Sequence, residues 1–269
     1  YDYGEKNICK RKPMSLQCVF CNCDKRSYLQ KIWRMARQLF INRLVRFNCE
    51  LNLIYISEFS YSKLKPWLKA QNTYFVRNPY DLGDESVYEA EYNHDYLYVG
   101  RLSEEKGVEI FCEALSTMIA RGEIKGRVRI VGSGNCQQRL QEQYPEMEFL
   151  GWKTHSEMVE IMKTARRFIM PSRWYEGAPL TPIEFMSHGI PCIISDCCAA
   201  IEYIQDKKNG ILFQTENVES LISAVRLAED DVFWSDVAAC LRSTFVRDEY
   251  SVETHTKTLL RVYEEILKQ

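Results

Sequence analysis

The stretch Tyr96-Leu97-Tyr98-Val99-Gly100-Arg101-Leu102-Ser103-Glu104-Glu105-Lys106-Gly107 opens the most regular part of the chain. Four apolar residues run without polar alternation into a glycine, and a charged loop follows. Such a run suits a strand buried on both faces of a sheet. Working outward, short apolar runs recur at 128–131, 147–150, 168–170, 192–195 and 211–213. Amphipathic stretches separate them at 108–121, 136–144, 156–164, 182–188 and 199–204. Short apolar strands alternating with helices predict a parallel sheet covered on both sides, a doubly wound α/β (Rossmann-like) domain. Further helices are expected at 218–229, 232–245 and 252–268.

In such a sheet, ligands bind beyond the carboxyl ends of the strands, so the loops there should carry the chemistry. After the first strand, Arg101 and Lys106 stand five residues apart between Gly100 and Gly107. That pattern suits an anionic group held over a strand end, although surface cations are more often merely solvated. After the second strand, Gly132-Ser133-Gly134 resembles the start of a dinucleotide fingerprint. Gln137 stands where the third glycine belongs, so the pair reads instead as a tight turn with close backbone approach.

The richest loop runs from Pro171 through Arg173, Trp174, Glu176, Gly177, Ala178, Pro179 and Leu180 to Thr181-Pro182-Ile183-Glu184. Gly177 lets backbone amides approach a ligand, and Pro182 marks a helix start whose free N–H groups favour phosphate. The dipole contributes about 0.3–1 kcal/mol, and each charge-assisted hydrogen bond from Arg101 or Lys106 roughly 1.5–3 kcal/mol. Asp-x-Asp is absent from the sequence, so a diphosphate neutralised by protein cations, without a metal or other cofactor, is expected. Thr181 and Glu184 also have the spacing of a capping box, which leaves Glu184 two readings.

These motifs taken together resemble the glycosyltransferase group 1 family, the retaining GT-B family also numbered family 4. The likeness rests on Tyr98 to Gly107, Val131 to Gly134, Phe149 to Gly151, Met170 to Ser172, Glu176 to Glu184, Met186 to Ser195 and Asn209 to Leu212, in order. It implies a GT-B-like fold and transfer of a sugar, with retention, from a nucleotide-diphosphate donor (a UDP-sugar) to a saccharide or lipid-linked acceptor. Within it, Arg101 and Lys106 match a basic pair on the donor diphosphate. Glu176 and Glu184 match a Glu-x7-Glu motif, the first near the reacting centre and the second on the ribose hydroxyls. Backbone groups of Gly177, Ala178, Pro179 and Leu180 would hold the distal phosphate, and Gly151, Trp152 and Lys153 would lie beside the base. A GT-B nucleotide-sugar epimerase and an inactive nucleotide-sugar-binding module are the alternatives. His188, at a helix end, reads as structural, and His94 and His155 as bland.

Residues 1–78 resemble, less specifically, the later part of the family's acceptor-side domain. Tyr1-Asp2-Tyr3 matches a His-Asp-Tyr segment with the His replaced, Leu53 to Ser57 a last strand, and Val76 to Pro79 the entry to a linker. The implied organisation is a partial acceptor-side domain over 1–78, a linker over 79–94 and a donor-binding domain over 95–250. A helix over 251–269 would return to the first domain through Leu259, Leu260, Tyr263, Ile266 and Leu267. A Gly-rich opening turn and an initiating Met are both lacking, so an upstream segment, and hence an incomplete second Rossmann-like domain, is expected.

Net charge of −2 over 269 residues conceals an asymmetry. Residues 1–78 hold 15 Lys/Arg against 5 Asp/Glu, and 79–269 hold 20 against 32, giving +10 and −12. Either the two parts attract each other, or the basic part meets an anionic partner such as a membrane surface or a phosphate-bearing acceptor. The helix expected around 27–47 carries Lys31, Arg34, Arg37, Arg43 and Arg46 among apolar residues. It reads as a peripheral membrane contact or as a domain helix with one buried face. Nucleic acid is not expected as a partner, since the main domain is acidic and carries no recognition motif. No run approaches the roughly 18 apolar residues of a membrane span, and eleven scattered Cys fit a reduced, cytoplasmic setting. Cys9, Cys18, Cys21 and Cys23 could bind zinc, but three ligands within six residues make a poor tetrahedral frame.

Overall fold

A computed structural model describes residues 9, 11, 14–24, 26–48, 51–67, 72–83 and 86–268. Two helices, α1 (Leu16–Phe20) and α2 (Tyr28–Asn48), precede a small parallel pair, β1 (Asn52–Tyr55) and β2 (Asn72–Phe75), with α3 (Glu58–Leu64) between them. The main unit then alternates β3 (Asp95–Val99), α4 (Val108–Ala120), β4 (Val128–Val131), α5 (Gln137–Gln143), β5 (Glu148–Gly151), α6 (His155–Met162), β6 (Ala165–Met170), α7 (Thr181–Ser187), β7 (Cys192–Ser195) and β8 (Gly210–Phe213). Helices α8 (Val218–Leu227), α9 (Asp231–Thr244) and α10 (Val252–Leu267) close the chain.

The six main strands are all parallel, in the order β5-β4-β3-β6-β7-β8. The chain winds outward from β3 to β5, then crosses back to the other side of β3 to begin β6. The order therefore reverses between β3 and β6, and a crevice opens outside their carboxyl ends. Alternate residues of β3 serve opposite cores, as the strand period requires. Tyr96 and Tyr98 pack with Phe111, Leu115 and Met118 of α4 and Leu221 of α8. Leu97 packs with Met162, Phe168, Phe185 and Ile194 on the other face. With both faces covered, the strands are apolar over most of their length, which is why they read as apolar runs.

Four sequence expectations are corrected. Strand β6 begins at Ala165, ahead of the expected Phe168, and carries Arg166 and Arg167 into the interior. The Arg167 guanidinium, fully buried, pairs with Glu229 and donates to the Ala228 carbonyl at 3.0 Å. It lies 4.4 Å from the Tyr96 ring centroid. Ala228 caps the C-terminus of α8, where a cation meets the negative end of the helix dipole. Second, the strand at Leu53 is followed by another, β2, which pairs with it in parallel. Third, among its described side chains α2 does not bury an apolar face: Leu29, Trp33, Leu39 and Phe40 are all exposed, and only Lys31 is buried. Fourth, on α10 the buried residue is Val262, while Leu260, Tyr263 and Leu267 stay exposed. That helix does meet the earlier segment through His255 Nδ1 and the Arg77 carbonyl, 2.8 Å apart.

Lys31 sits among the N-terminal cysteines. Its ammonium donates to the carbonyls of Cys18 and Cys21 and lies 3.0 Å from Cys21 Sγ. Among the described residues, no three His, Cys, Asp or Glu side chains are placed to hold a metal ion, and no helix is long and apolar enough to cross a membrane. Tyr1-Asp2-Tyr3 and Cys49 lie outside the described residues.

Candidate functional site

Three loops meet over the carboxyl ends of β3, β4 and β6, and their backbones touch. Residues 100–107 are anchored by Leu102, fully buried, whose amide donates to the Ser133 carbonyl at 3.0 Å. The Tyr98 hydroxyl donates to the Arg101 carbonyl at 2.8 Å. Burial pushes that phenol well above its ordinary pKa, and the nearby Glu176 carboxylate adds to the shift, so it remains a donor. On the other side, the Arg173 amide donates to the Glu105 carbonyl at 3.0 Å. Glycine is required at two of these contacts. Gly107 has φ +68°, and a Cβ there would stand 1.8 Å from the Pro171 carbonyl oxygen. Gly132 has φ +126°, and its Cβ would stand 1.9 Å from the Gly100 oxygen. The conformation and the missing side chain are both needed for three loops to share one point.

The loop after β6 is pinned from below by residues that sequence reasoning passed over. Ser195 Oγ and Cys197 Sγ both donate to the Ser172 carbonyl, at 2.6 and 2.9 Å. The Ala199 amide donates to the Glu176 carbonyl at 2.9 Å, and Ser60 of α3 reaches the Gly177 carbonyl at 3.3 Å. For Ser195, Cys197 and Ala199 the signal was a run of small residues at and just after the end of β7, which nothing local ties to the loop after β6.

Between these loops lies a cleft of about 380 Å³ that brings together Arg101, Lys106, Glu176, Gly177, Ala178 and Pro179. Lys106 Nζ donates to Glu176 Oε2 at 2.8 Å, with both side chains largely covered. Arg101 extends toward solvent, 65% exposed and 3.9 Å from Glu105. Among the described residues, no hydrogen bond uses the Gly177 or Ala178 amide. A second cleft of about 390 Å³ shares Arg101 with the first and is lined by Gly132, Ser133, Trp152 and Lys153. Trp152, following Gly151 at the end of β5, is 72% exposed. Leu180 departs from the group. It stands at the start of α7, and its side chain packs in an apolar cluster with Leu82, Ile183 and Tyr250.

Glu184 is not a capping residue, which corrects one of its two sequence readings. The residue before α7 is Leu180, and no side chain caps the helix. The carboxylate turns instead toward His155, the first residue of α6, with Nδ1 to Oε1 at 3.6 Å. It also accepts from Tyr80, whose hydroxyl is held well above its usual pKa by burial and by the Glu184 charge. Tyr80 and His155 were not foreseen at the site, because Glu184 meets them only across distant segments. His188 is structural: buried, bonded to the Ser86 carbonyl at 2.6 Å and stacked on Tyr88.

The arrangement holds Arg101, Lys106 and Lys153, unspent backbone amides, the ion-paired carboxylates of Glu105 and Glu176 and an exposed tryptophan along two adjoining clefts at a sheet switch point. It can bind an elongated anion that ends in a flat ring system.

The sequence profile of the family described as Glycosyl transferases group 1 matches residues 93–231. An Escherichia coli UDP-Gal:alpha-D-GlcNAc-diphosphoundecaprenol alpha-1,3-galactosyltransferase is 32% identical over 146 residues, covering 51% of this chain and 37% of that protein. An Escherichia coli lipopolysaccharide 1,6-galactosyltransferase is 30% identical over 140 residues, covering 48% of this chain and 37% of that protein. The chain therefore matches well under half the length of these curated relatives. Among solved structures, sucrose-phosphate synthase from Thermosynechococcus elongatus superposes with a TM-score of 0.71 at 19% identity, over 87% of this chain and 62% of that one. Anabaena HepE in complex with UDP and glucose superposes with a TM-score of 0.68 at 17% identity, over 88% and 67%. At those identities the likeness is one of fold, and the fold is α/β of the GT-B type.

Proposed function

The chain is a member of the group 1 glycosyltransferases, and from that premise we propose that it moves a sugar, with retention, from a UDP-sugar to a saccharide or lipid-linked acceptor. The observation that carries the proposal is the cleft in which Lys106 and Glu176 pair at 2.8 Å beside Arg101. A sugar-nucleotide diphosphate has one negative charge on each phosphate, and Arg101 and Lys106 supply two cations to meet them. The amides of Gly177 and Ala178 and the backbone at Leu180 complete the distal phosphate's partners. Glu176, held by Lys106, stands where the sugar's anomeric carbon would lie. The base rests against Gly151, Trp152 and Lys153, and Glu184, oriented by Tyr80, takes the ribose hydroxyls. The relatives support the choice of donor and acceptor: one is named for a UDP-sugar and a diphosphate-linked lipid acceptor, and HepE is bound to UDP and glucose.

Calorimetric titration with UDP, GDP, ADP and CMP tests the donor site. UDP is expected to bind, and Lys106→Ala to weaken it by about 1.5–3 kcal/mol, roughly ten- to a hundredfold. Arg101→Ala should cost less, since Arg101 is 65% exposed whereas removing Lys106 also leaves Glu176 unpaired beside the phosphates. Equal binding by both variants and the unaltered protein would place the diphosphate elsewhere.

The uncovered apolar face of α2 supports peripheral contact with an anionic membrane. Leu39 and Phe40 are exposed on it, and no acidic residue occurs between 27 and 48. Apolar insertion combined with basic flanks is how an interfacial helix binds. Phe40→Ser is expected to reduce co-sedimentation with phosphatidylglycerol-containing vesicles by about tenfold, from the apolar burial it removes. Unchanged sedimentation, or equal binding to neutral vesicles, would remove the membrane from the proposal.

A further inference from the structure

Among the described residues, none of the N-terminal cysteines lines the donor cleft, yet one of them is held in a setting unlike the rest. Cys112, Cys192 and Cys198 are buried, and burial pushes each thiol up, which leaves them inert. Cys21 is half-buried at the C-terminal cap of α1. A helix end of that polarity disfavours an anion. Lys31 reverses the local field. Its ammonium donates to the carbonyls of Cys18 and Cys21, which crowd that helix end, and reaches Cys21 Sγ at 3.0 Å.

Lys31 is only 6% exposed. Asp24, the one carboxylate among the described residues that line the same cavity, is paired instead with Arg34. A buried ammonium is costly without an anion, and the thiols of Cys21 and Cys23, both bonded to it, can each become one by losing a proton. The two thiols are also hydrogen bonded to each other and shift in opposite directions. Against the opposing effect of burial, the bonds from Lys31 and Cys23 hold the Cys21 thiol below its ordinary pKa, and the charge of Arg11 adds to them. Burial and the bond to Cys21 push Cys23 up. One sulfur is prepared as a thiolate while its neighbour keeps its proton.

We propose that Cys21 is a peroxide-reactive nucleophile, that Lys31 holds its thiolate, and that Cys23 resolves the product as a disulfide. The inference stands apart from the transferase reading. The Cys21 sulfur attacks one peroxide oxygen, the O–O bond breaks, hydroxide leaves and Cys21 becomes a sulfenic acid. The Cys23 sulfur then displaces that hydroxyl group, and its own proton leaves with the hydroxyl as water. The two sulfurs together give up two electrons, and the peroxide takes them. Cys23 and Lys31 line the open cavity of about 870 Å³ beside α2, which gives a small peroxide its path.

The test treats the full chain with one equivalent of hydrogen peroxide at pH 7, blocks the remaining thiols with N-ethylmaleimide and reads the digest by mass spectrometry. A Cys21–Cys23 disulfide is expected, forming at least about tenfold faster than the half-buried Cys240 is oxidised. In Cys23→Ser the sulfenic acid should persist at Cys21 and be captured by dimedone. Lys31→Met should slow iodoacetamide alkylation of Cys21 at neutral pH by about tenfold and move the midpoint of its pH profile upward, since one pKa unit changes the thiolate fraction about tenfold. Lys31→Arg, which keeps the charge, should restore most of the rate. A lysine that only held the segment together would, when removed, expose the thiol and speed its alkylation. The proposal is overturned if Cys21 is oxidised no faster than Cys240, if its pH profile is unmoved in Lys31→Met, if the disulfide joins another pair, or if the chain as purified carries zinc on these thiols.

Discussion

Glu176→Gln is expected to lower the turnover number for sugar transfer by about 10²–10³-fold, the loss typical of one preorganised electrostatic group at a reacting centre. Glutamine keeps the shape of the side chain and removes its charge. Cleavage of a glycosidic bond builds positive charge at the anomeric carbon, and a carboxylate held there stabilises that charge more than it stabilises the ground state. Lys106, 2.8 Å away, holds the carboxylate in place. In the variant Lys106 loses its partner and becomes free for the donor phosphates, so UDP affinity should hold or rise while turnover falls. That split, a transition-state loss without a ground-state loss, separates a role at the reacting centre from a packing role. Steady-state rates with UDP-sugar, combined with UDP titration, measure both. Turnover within about threefold of the unaltered enzyme would remove Glu176 from the reaction.

The second large effect is on stability. Arg167→Met should destabilise the fold by about 3–5 kcal/mol, as when one partner of a buried pair is removed, and lower the melting temperature by on the order of 10 °C. The methionine fills part of the volume but leaves Glu229, mostly covered, with only the Tyr96 hydroxyl at 2.6 Å. It also leaves the Ala228 carbonyl, at the end of α8, without the guanidinium. Glu229→Gln should cost less, because Arg167 retains that carbonyl and the Tyr96 and Trp234 rings. The Tyr96 phenol belongs to the same network, and burial, reinforced by its bond to Glu229, pushes it up to about 12 from an ordinary value of 10.0. Its contribution is whole below pH 10 and is lost as the pH rises to about 12. Thermal unfolding followed by circular dichroism measures these effects. A melting temperature unchanged in Arg167→Met would show that the buried guanidinium contributes no net stability.

Much of the main unit is written in local pattern. A strand buried on both faces must be apolar throughout, and a helix packed on it must repeat its apolar residues at helical spacing. The six runs between Asp95 and Gln214 therefore name their own strands. The loops are equally legible, because a loop at a strand's carboxyl end has no packing duty that would account for Arg101, Lys106 and Glu176 together. Gathering these residues into one cleft required only the order of the strands.

What remained hidden depends on which distant segment lies opposite. Glu184 has the sequence of a helix cap, and only the approach of Tyr80 and His155 turns its carboxylate away from the helix end. Arg166 and Arg167 look like surface residues until Ala228, Glu229 and Asp231 arrive to receive them inside the fold. The spacing of α2 shows an apolar face but not what covers it, and in the structure it is Lys31 that is buried, against the cysteine segment, while Arg34 reaches Asp24 from an exposed position. A period in the sequence records that a face exists. The partner of that face is decided by contacts between residues far apart in the chain, where burial and ion pairing outweigh local preference.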